Sequence, residues 1–415
     1  MSKKTALGAV FSAVLMDLLG FGIVLPLLPY YAARFEAAPI TVGLLYSVYS
    51  FAQLVFSPLW GAWSDRIGRR PVMLLSTAGS TGSYLLFAFS NSLPMLFLSR
   101  LFAGVMGGNI SAAQAYVADV TAPSERAKGM GLIGAAFGIG FALGPAISSL
   151  LLMPGVHEAI VARLPGPVSV YISENPYSLP GLAASLLSFC SFLLVAFWLP
   201  ESVSSQATDD GARIQRISLF SRRFWSSVFS KDAQTLGRLY VCLLVLMVGH
   251  SSLYSSFPLY CKKVFAFDAH EVGAQFLLLG LVTITVQGGL IRPLVKRFGE
   301  KRLLVAGNVL MALGLLWIPA ARSTFWLSSG LAVLAVGASL NGPTLTSLVS
   351  KEAKPAYVGL ALGNAQGIAA LGRVLGPAWG GWLFGWRPSA PFLLTAALVS
   401  VTVWLALSLK LDKIS

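Results

Sequence analysis

The stretch GAWSDRIGRR, residues 61 to 70, decides the fold of this chain because it concentrates charges between two long windows that have none. Residues 37 to 64 and 71 to 99 contain no Glu, Lys or Arg and no Asp. A bilayer core about 30 Å thick requires about 20 apolar helical residues per crossing, because only an internally hydrogen-bonded backbone is stable there. The stretch is therefore predicted to be a short polar turn between two membrane-spanning helices.

The same pattern continues along the 415 residues, of which 56% are hydrophobic and 11% are charged. Ordinary soluble proteins have about 25% charged residues. Further charge-free windows are 101 to 118, 129 to 157, 175 to 200, 239 to 261, 272 to 291, 303 to 321, 323 to 350 and 388 to 409. Two more spans appear when one charge each is tolerated, at 5 to 33 with Asp17 and at 355 to 386 with Arg373. The sequence predicts an all-α membrane protein with twelve transmembrane helices.

The formal net charge of +14 is explained either by nucleic-acid binding or by membrane topology. If the N-terminus is cytoplasmic, 22 of the 30 Lys and Arg residues fall in cytoplasmic segments and six in external ones, while Arg100 and Arg373 lie within spans. Such an excess of basic residues is typical of cytoplasmic loops. We therefore expect no nucleic-acid partner, and an integral multi-pass protein with both termini in the cytoplasm.

An internal repeat divides the chain into two halves. RIGRRPVML at 66 to 74 resembles RFGEKRLLV at 297 to 305, and Gly131 to Pro145 resembles Gly363 to Pro377, so an offset of 231 or 232 residues recurs. Parallel repeats in transporters form the substrate site at their interface near the bilayer midplane. The predicted division is a six-helix half at 1–198, a cytoplasmic linker at 199–238 and a second half at 239–415. The proline-containing external segment 153 to 178 is predicted to be an irregular loop.

The loop at 61 to 70 resembles the signature loop of the major facilitator superfamily. The matching residues are Gly61, Asp65, Arg66, Gly68, Arg69 and Arg70. The resemblance implies the major facilitator fold, with two six-helix pseudo-repeats, and a role for the loop in gating. We expect Asp65 to form a charge cluster with the arginines, joined by Asp119 through Arg70, that breaks as the protein changes conformation. The alternative is that these charges only anchor the loop on the cytoplasmic side.

Two glycine motifs resemble those of drug-exporting families. RLFAGVMGGN, 100 to 109, and GAAFGIGFALGP, 134 to 145, contribute Arg100, Gly104, Gly108, Gly140, Gly144 and Pro145, and the second half repeats the last pair as Gly376 and Pro377. The resemblance implies that the glycines and prolines serve helix packing in an antiporter. The alternative is ordinary close packing, since small residues at this spacing are common between membrane helices.

The first span and the stretch after the fourth narrow the resemblance. LMDLLGFGIVLPLLPYY, 15 to 31, and ADVTAPSERAKGMG, 118 to 131, resemble the tetracycline-transporter-like branch of the twelve-helix drug:proton antiporters. The resemblance is good over residues 10 to 150 and weaker afterwards. Tetracycline exporters have an acidic residue before Tyr-Leu-Leu in the third span, where this chain has Ser83. Membership of the branch therefore leaves the substrate open.

Asp17 and Arg100 are the candidate proton-coupling residues. An ionisable residue inside a membrane is costly and is functional by default. At 1.5 Å per residue, Asp17 lies roughly 18 Å from the cytoplasmic end of its span, and Arg100 roughly 9 Å from the outer surface of a core about 30 Å thick. The two depths agree, so the residues are able to pair where the first and fourth helices are adjacent. A purely structural ion pair is the alternative.

Polar and aromatic residues in the spans that line the cavity by resemblance are candidate substrate contacts. They are Asn109, Gln114, His250, Tyr254, Asn341 and Arg373. Arg373 either binds an anionic group of the substrate or extends its charge toward the membrane surface. For the other residues, an interhelical hydrogen bond is the alternative.

The leading hypothesis is a secondary active transporter that exports a small amphipathic organic molecule by alternating access and proton antiport. The alternatives are a facilitator or symporter for a metabolite such as an organic anion or a sugar, and, in another class, a non-transporting membrane receptor. No Ser/His/Asp, metal or phosphate-loop constellation indicates an enzyme. The expected partners are a small-molecule substrate, protons and the lipid bilayer, with no cofactor, for a protein that acts as a monomer.

Overall fold

The computed structural model describes residues 3–107, 109–122, 125–202, 234–353 and 358–409, and all regular secondary structure within them is helical. We number the long helices as spans. Spans 1 to 6 are Lys3–Val24 continued by Leu25–Leu27 and Leu28–Ala33, then Pro39–Ile67, Arg69–Ala88, Leu93–Met106 with Asn109–Val120, Arg126–Leu152 and Ser178–Trp198. Spans 7 to 12 are Gln234–Phe265, Ala269–Thr285 continued to Phe298, Glu300–Ala320, Thr324–Glu352, Val358–Trp386 and Ala390–Leu407.

Eleven of these spans are long and apolar enough to cross a membrane. The twelfth is span 3, whose 20 residues suffice in length but are more polar because they include Ser76, Thr77, Ser80, Thr81 and Ser83. Four of these five residues are buried within the protein, so the polar side of span 3 faces other helices. The predicted all-α architecture with twelve helices is confirmed.

Large apolar side chains cover the outer helix faces. Phe197 is 74% exposed, Trp404 67% and Leu186 62%. In water such exposure would be costly, whereas lipid solvates these side chains well. The pattern is that of a protein whose helix bundle faces lipid.

The turn between the third and fourth spans lies inside the charge-free window 71 to 99. In the structure, span 3 ends at Ala88 and span 4 begins at Leu93. The turn consists of Ser90, Asn91 and Ser92, which are uncharged, and Pro94 lies in the first turn of span 4, where its missing N–H costs nothing. Arg100 lies inside span 4, as predicted.

The segment after span 5, predicted to be an irregular external loop, differs from that prediction. It contains two short helices, Val156–Val161 and Gly166–Glu174. Prolines do not prevent the second helix, because Pro165 precedes it and Pro167 lies in its first turn, where a proline is well tolerated.

The described residues form two compact units. The first contains the described residues up to Ser202 together with Cys261–Gly280, and the second contains Gln234 to Tyr260 and the described residues after Gly280. Within the first unit, Tyr30 donates to the carbonyl of Phe267 at 2.8 Å, and Ser149 donates to that of His270. The predicted linker 199–238 lies mostly at 203–233, outside the described residues, so the predicted division remains a prediction.

Candidate functional site

Asp17 lies in the middle of span 1 and is half-buried. The hydroxyl of Ser188 on span 6 donates to its Oδ1 at 3.4 Å. On the neighbouring position, Leu18 packs against Gly140 of span 5, where an added Cβ would lie 2.5 Å from the Cβ of Leu18. The carboxylate is therefore held where span 1 packs against spans 5 and 6 of the first unit.

Arg100 is almost completely buried in span 4, with 1% exposure. Its guanidinium lies 4.8 Å from the ring centre of Phe87 and 5.9 Å from that of Tyr84, both on span 3, and Nε donates to Ser99 Oγ at 3.5 Å. Its Nη2 is buried and has no hydrogen-bond partner among the described residues. An aromatic pocket therefore holds this cation.

The direct pair of Asp17 with Arg100 is not among the ion pairs between described residues. Tyr84 lies close enough to feel the charges of both. Arg100 does not pair directly with Asp17 because its side chain points to the rings of Phe87 and Tyr84 on span 3. Their coupling in the transport cycle stays a prediction.

Arg69 is the central residue of the charge cluster at the signature loop. Its Nη1 lies 2.5 Å from Asp65 Oδ1 and donates to Ser64 Oγ at 2.7 Å, while its Nε donates to Asp119 Oδ2 at 3.0 Å. An arginine guanidinium stays charged in proteins, so Arg69 holds the two carboxylates through charge-assisted hydrogen bonds.

The partners inside this cluster differ in part from the expected ones. Asp119 pairs with Arg69 rather than with Arg70. Arg70 instead donates from Nη2 to the carbonyl of Ala196 on span 6 at 2.6 Å, and Arg66 is exposed. The geometry follows from helix direction, since Arg70 is one residue further into span 3 and points toward span 6.

Glu201 is a member of this cluster that the sequence analysis missed. Its carboxylate accepts the backbone N–H groups of Arg69 at 2.9 Å and Arg70 at 3.1 Å, at the start of span 3. Gly68 has φ +104°, and an added Cβ would lie 2.8 Å from Cδ of Glu201. A helix N-terminus attracts negative charge. The available signal was a single acid directly after span 6.

The motif glycines lie at close helix contacts in both units. A Cβ on Gly144 would lie 2.6 Å from Cα of Gly22 on span 1, and one on Gly376 would lie 2.5 Å from the carbonyl oxygen of Val248 on span 7. Three further motif positions belong to the same description: Gly104 faces the backbone of Tyr49, Pro145 lies 3.3 Å from a Cβ on Gly22, and the carbonyl of Pro377 accepts from Ser255 Oγ at 2.8 Å. Gly108 lies outside the described residues.

The predicted substrate residues of the second unit fall into two groups. His250 and Tyr254 are hydrogen-bonded through Nε2 and OH at 3.1 Å on span 7, and the charge of half-buried Arg373 on span 11 acts on Tyr254. Nδ1 of His250 is buried and has no partner among the described residues. This cluster has donors suited to an anionic or polar group.

Asn341 lies at a helix contact in this structure, and its role toward a substrate stays a prediction. It is 2% exposed, and its Nδ2 lies 3.9 Å from Sδ of Met311 on span 9. A Cβ on Gly307 would overlap its Oδ1. Of the two first-unit candidates, Gln114 is exposed, and the side chain of Asn109 is outside the described part.

Comparisons with known proteins extend over nearly the whole chain. The sequence model of the family described as Major Facilitator Superfamily matches residues 10–292 and 288–413. The chain is 31% identical over 392 residues to the class D tetracycline resistance protein of Salmonella ordonez, covering 92% of this chain and 90% of that protein. It is 26% identical over 428 residues to Multidrug resistance protein 2 of Bacillus subtilis (strain 168), covering 99% and 96%.

A solved structure shows the same similarity. The human organic anion transporter MFSD10 (TETRAN) matches with a TM-score of 0.67 and 26% identity, over 98% of this chain and 100% of that chain. The likeness therefore concerns the entire helical architecture and is not confined to the signature loop.

Proposed function

We propose, from the premise that this chain belongs to the Major Facilitator Superfamily, that it exports a small amphipathic organic solute in exchange for protons. Members of the superfamily are transporters rather than enzymes, and this chain is a multi-pass membrane transporter. The exchange with protons and the direction of transport are our proposal. Its similarity to the tetracycline and multidrug resistance proteins supports export.

The observation that carries the proposal is Asp17, a half-buried carboxylate in the middle of span 1. Burial disfavours a charged carboxylate, whereas the Ser188 donor and the positive charge of Arg100 near Tyr84 favour it. All of these influences on the charge of Asp17 depend on how the helices pack. A change in packing during the cycle therefore changes proton affinity, which is the requirement for coupling.

The orientation of the proposed exporter has both termini in the cytoplasm, and it acts as a monomer. The 22-to-six distribution of basic residues supports this orientation. The loop at 61–70 then lies on the cytoplasmic side, where the Asp65–Arg69–Asp119 cluster opens and closes with the cycle. Light scattering of the purified protein tests whether it is a monomer.

The test uses purified protein in lipid vesicles, with an imposed pH gradient and the membrane potential clamped. The probes are a fluorescent amphipathic cation, a fluorescent organic anion, and tetracycline with and without Mg²⁺. We expect uphill accumulation of an amphipathic probe that requires the pH gradient in the native protein and is lost in Asp17→Asn. Downhill exchange and folding should remain. Uphill accumulation by Asp17→Asn under a proton gradient alone contradicts the proposal.

A second candidate is the transport of an organic anion by facilitation or symport, and Arg373 favours it. Its charge reaches Tyr254, which is bonded to His250. These groups together offer a cation and polar donors to an anionic headgroup. This candidate is supported if Arg373→Gln loses transport of the anion probe alone and Arg373→Lys retains that transport. It is contradicted if both variants lose transport of all probes equally.

A further inference from the structure

Ser188 on span 6 has one hydrogen to donate and two acceptors within reach. Its fully buried hydroxyl lies 3.4 Å from Oδ1 of Asp17 on span 1 and 3.2 Å from the backbone carbonyl of Thr77 on span 3. A serine hydroxyl has a single O–H donor. It therefore satisfies one of these two acceptors at a time.

The neighbouring serines of span 6 differ in this respect. Ser185 donates to the carbonyl of Thr81 at 3.1 Å, and Ser191 to that of Ala13 at 3.1 Å. Both are also buried in the helix interface, with 4% and 0% exposure. Their acceptors in the described structure are carbonyls, whereas Ser188 also reaches a carboxylate. Ser191 is thus a matched control, one turn from Ser188.

The charge on Asp17 decides which acceptor is preferred. A hydrogen bond to an ionised acceptor is roughly twice as strong as a neutral one. When Asp17 is ionised, the Ser188 hydrogen is drawn to its carboxylate. When Asp17 is protonated, that preference disappears, and the hydrogen turns to the carbonyl of Thr77, leaving the Ser188 oxygen free to accept from the carboxyl O–H.

The carbonyl of Thr77 tolerates this exchange. It also accepts from the hydroxyl of Thr81 at 2.9 Å. An oxygen with two lone pairs keeps a partner when Ser188 turns away, so neither protonation state leaves a buried group without a hydrogen bond. The two arrangements differ by a rotation of one hydroxyl.

We propose that Ser188 is a positioning residue for the coupling proton, whose hydroxyl alternates between Asp17 and the Thr77 carbonyl as Asp17 loses and gains its proton. This rests on the proposed role of Asp17. The consequence is that proton release at span 1 removes a link between spans 6 and 3, so that protonation alters the packing of three helices in the first unit.

Among the described residues, ionisable groups near Asp17 lie on spans 3 and 4. Tyr84 on span 3 feels its charge, and Arg100 on span 4 acts on the same tyrosine. Span 5 has no ionisable side chain between 129 and 152, and span 6 has only Cys190 between 178 and 198. These groups stay unchanged when Ser188 is replaced, so a change in the titration of Asp17 is attributable to the hydroxyl.

The experiment is an infrared titration of the protonated carboxyl band of Asp17 in lipid, with the band identified by its absence in Asp17→Asn. Ser188→Ala removes a donor to the ionised form of Asp17, so the midpoint of Asp17 in this variant should move alkaline by roughly one pH unit. Ser188→Cys, with a weak donor, should lie between. Ser191→Ala should keep the native midpoint. The pH profile of vesicle transport should move in the same direction.

An unchanged midpoint in Ser188→Ala, or an equal shift in Ser191→Ala, overturns the proposal. The infrared readout separates this failure from failure of the proposed function. If Asp17→Asn still accumulates substrate uphill, proton coupling through Asp17 is wrong. If Asp17→Asn abolishes accumulation but the midpoint of Asp17 does not move in Ser188→Ala, only the role of Ser188 is wrong.

Discussion

Oε1 of Glu201, directly after span 6, accepts the backbone N–H of Arg69 at 2.9 Å and so ties the end of span 6 to the start of span 3. The same Arg69 bonds Asp65 at the end of span 2 and Asp119 at the end of span 4. Four spans of the first unit therefore meet at one residue. A change at any of these contacts should be felt by the others, because they share one guanidinium and one helix start.

Replacement of Glu201 by Gln should slow transport on the order of two- to tenfold, because the charge-assisted hydrogen bonds to the start of span 3 become neutral ones. Initial rates in vesicles, at equal protein content, are the measurement. Glu158→Gln is the control, since Glu158 lies in the short helix Val156–Val161 of the same unit. Equal rates in Glu201→Gln and the native protein would show that the helix-start contact is dispensable.

Asp65→Asn should slow transport about tenfold while changing substrate affinity less than twofold. The Asp65–Arg69 ion pair belongs to the loop and includes none of the candidate substrate residues, so we expect its loss to change conformational balance. The exposed neighbour Arg66 provides the comparison as Arg66→Gln. If Asp65→Asn and Arg66→Gln have the same small effect on rate, the loop serves topology alone.

Gly144→Val should lower the melting temperature of the purified protein by several degrees. Its side chain would meet the backbone of Gly22, and overpacking costs about 1–3 kcal/mol. Gly134→Val, in the same helix with nothing within 4 Å, is the control. In the second half, Gly376→Val against Gly363→Val repeats the comparison. Equal melting of each pair would contradict the packing role.

Arg100→Gln should move the pH profile of transport alkaline, by about one pH unit or less. Removing a cation near Asp17 favours the protonated carboxyl, and the absence of a direct ion pair between these described residues limits the shift. Arg34→Gln, at the exposed outer end of span 1, should leave the profile unchanged. An acid shift in Arg100→Gln would contradict the assigned sign.

The proposed orientation predicts that single cysteines at two positions react from opposite sides. In a background with Cys190, Cys242 and Cys261 replaced, Val170→Cys should be labelled by an impermeant reagent from outside, and Gln215→Cys only from inside. Val170 is 59% exposed, so access to it is assured. Labelling of both cysteines from the same side would overturn the twelve-span topology.

Sequence patterns predicted the structure best where a feature depends on one continuous segment of the chain. The bilayer demands a fixed length of apolar helix, so windows with no charge or one charge located the twelve spans, and the repeat placed Gly144 and Gly376 at equivalent positions. The turn at Ser90 to Ser92 has no charge, so the windows alone do not mark it. Polarity alone does not say which way a helix is rotated, so the role of Asn341, which is 2% exposed, stays a prediction.

The sequence by itself determined that this protein is a duplicated bundle of membrane helices with a charged loop at 61–70, because length, polarity and repetition are properties of the chain. Only the tertiary structure decided that Ser188 meets Asp17, that Glu201 meets the start of span 3, and that Arg100 lies against Phe87 and Tyr84. Ser188 and Asp17 are 171 residues apart in sequence, and their contact depends on the rotation and depth of two helices. Those are set by the packing of small residues between helices, which no single segment specifies.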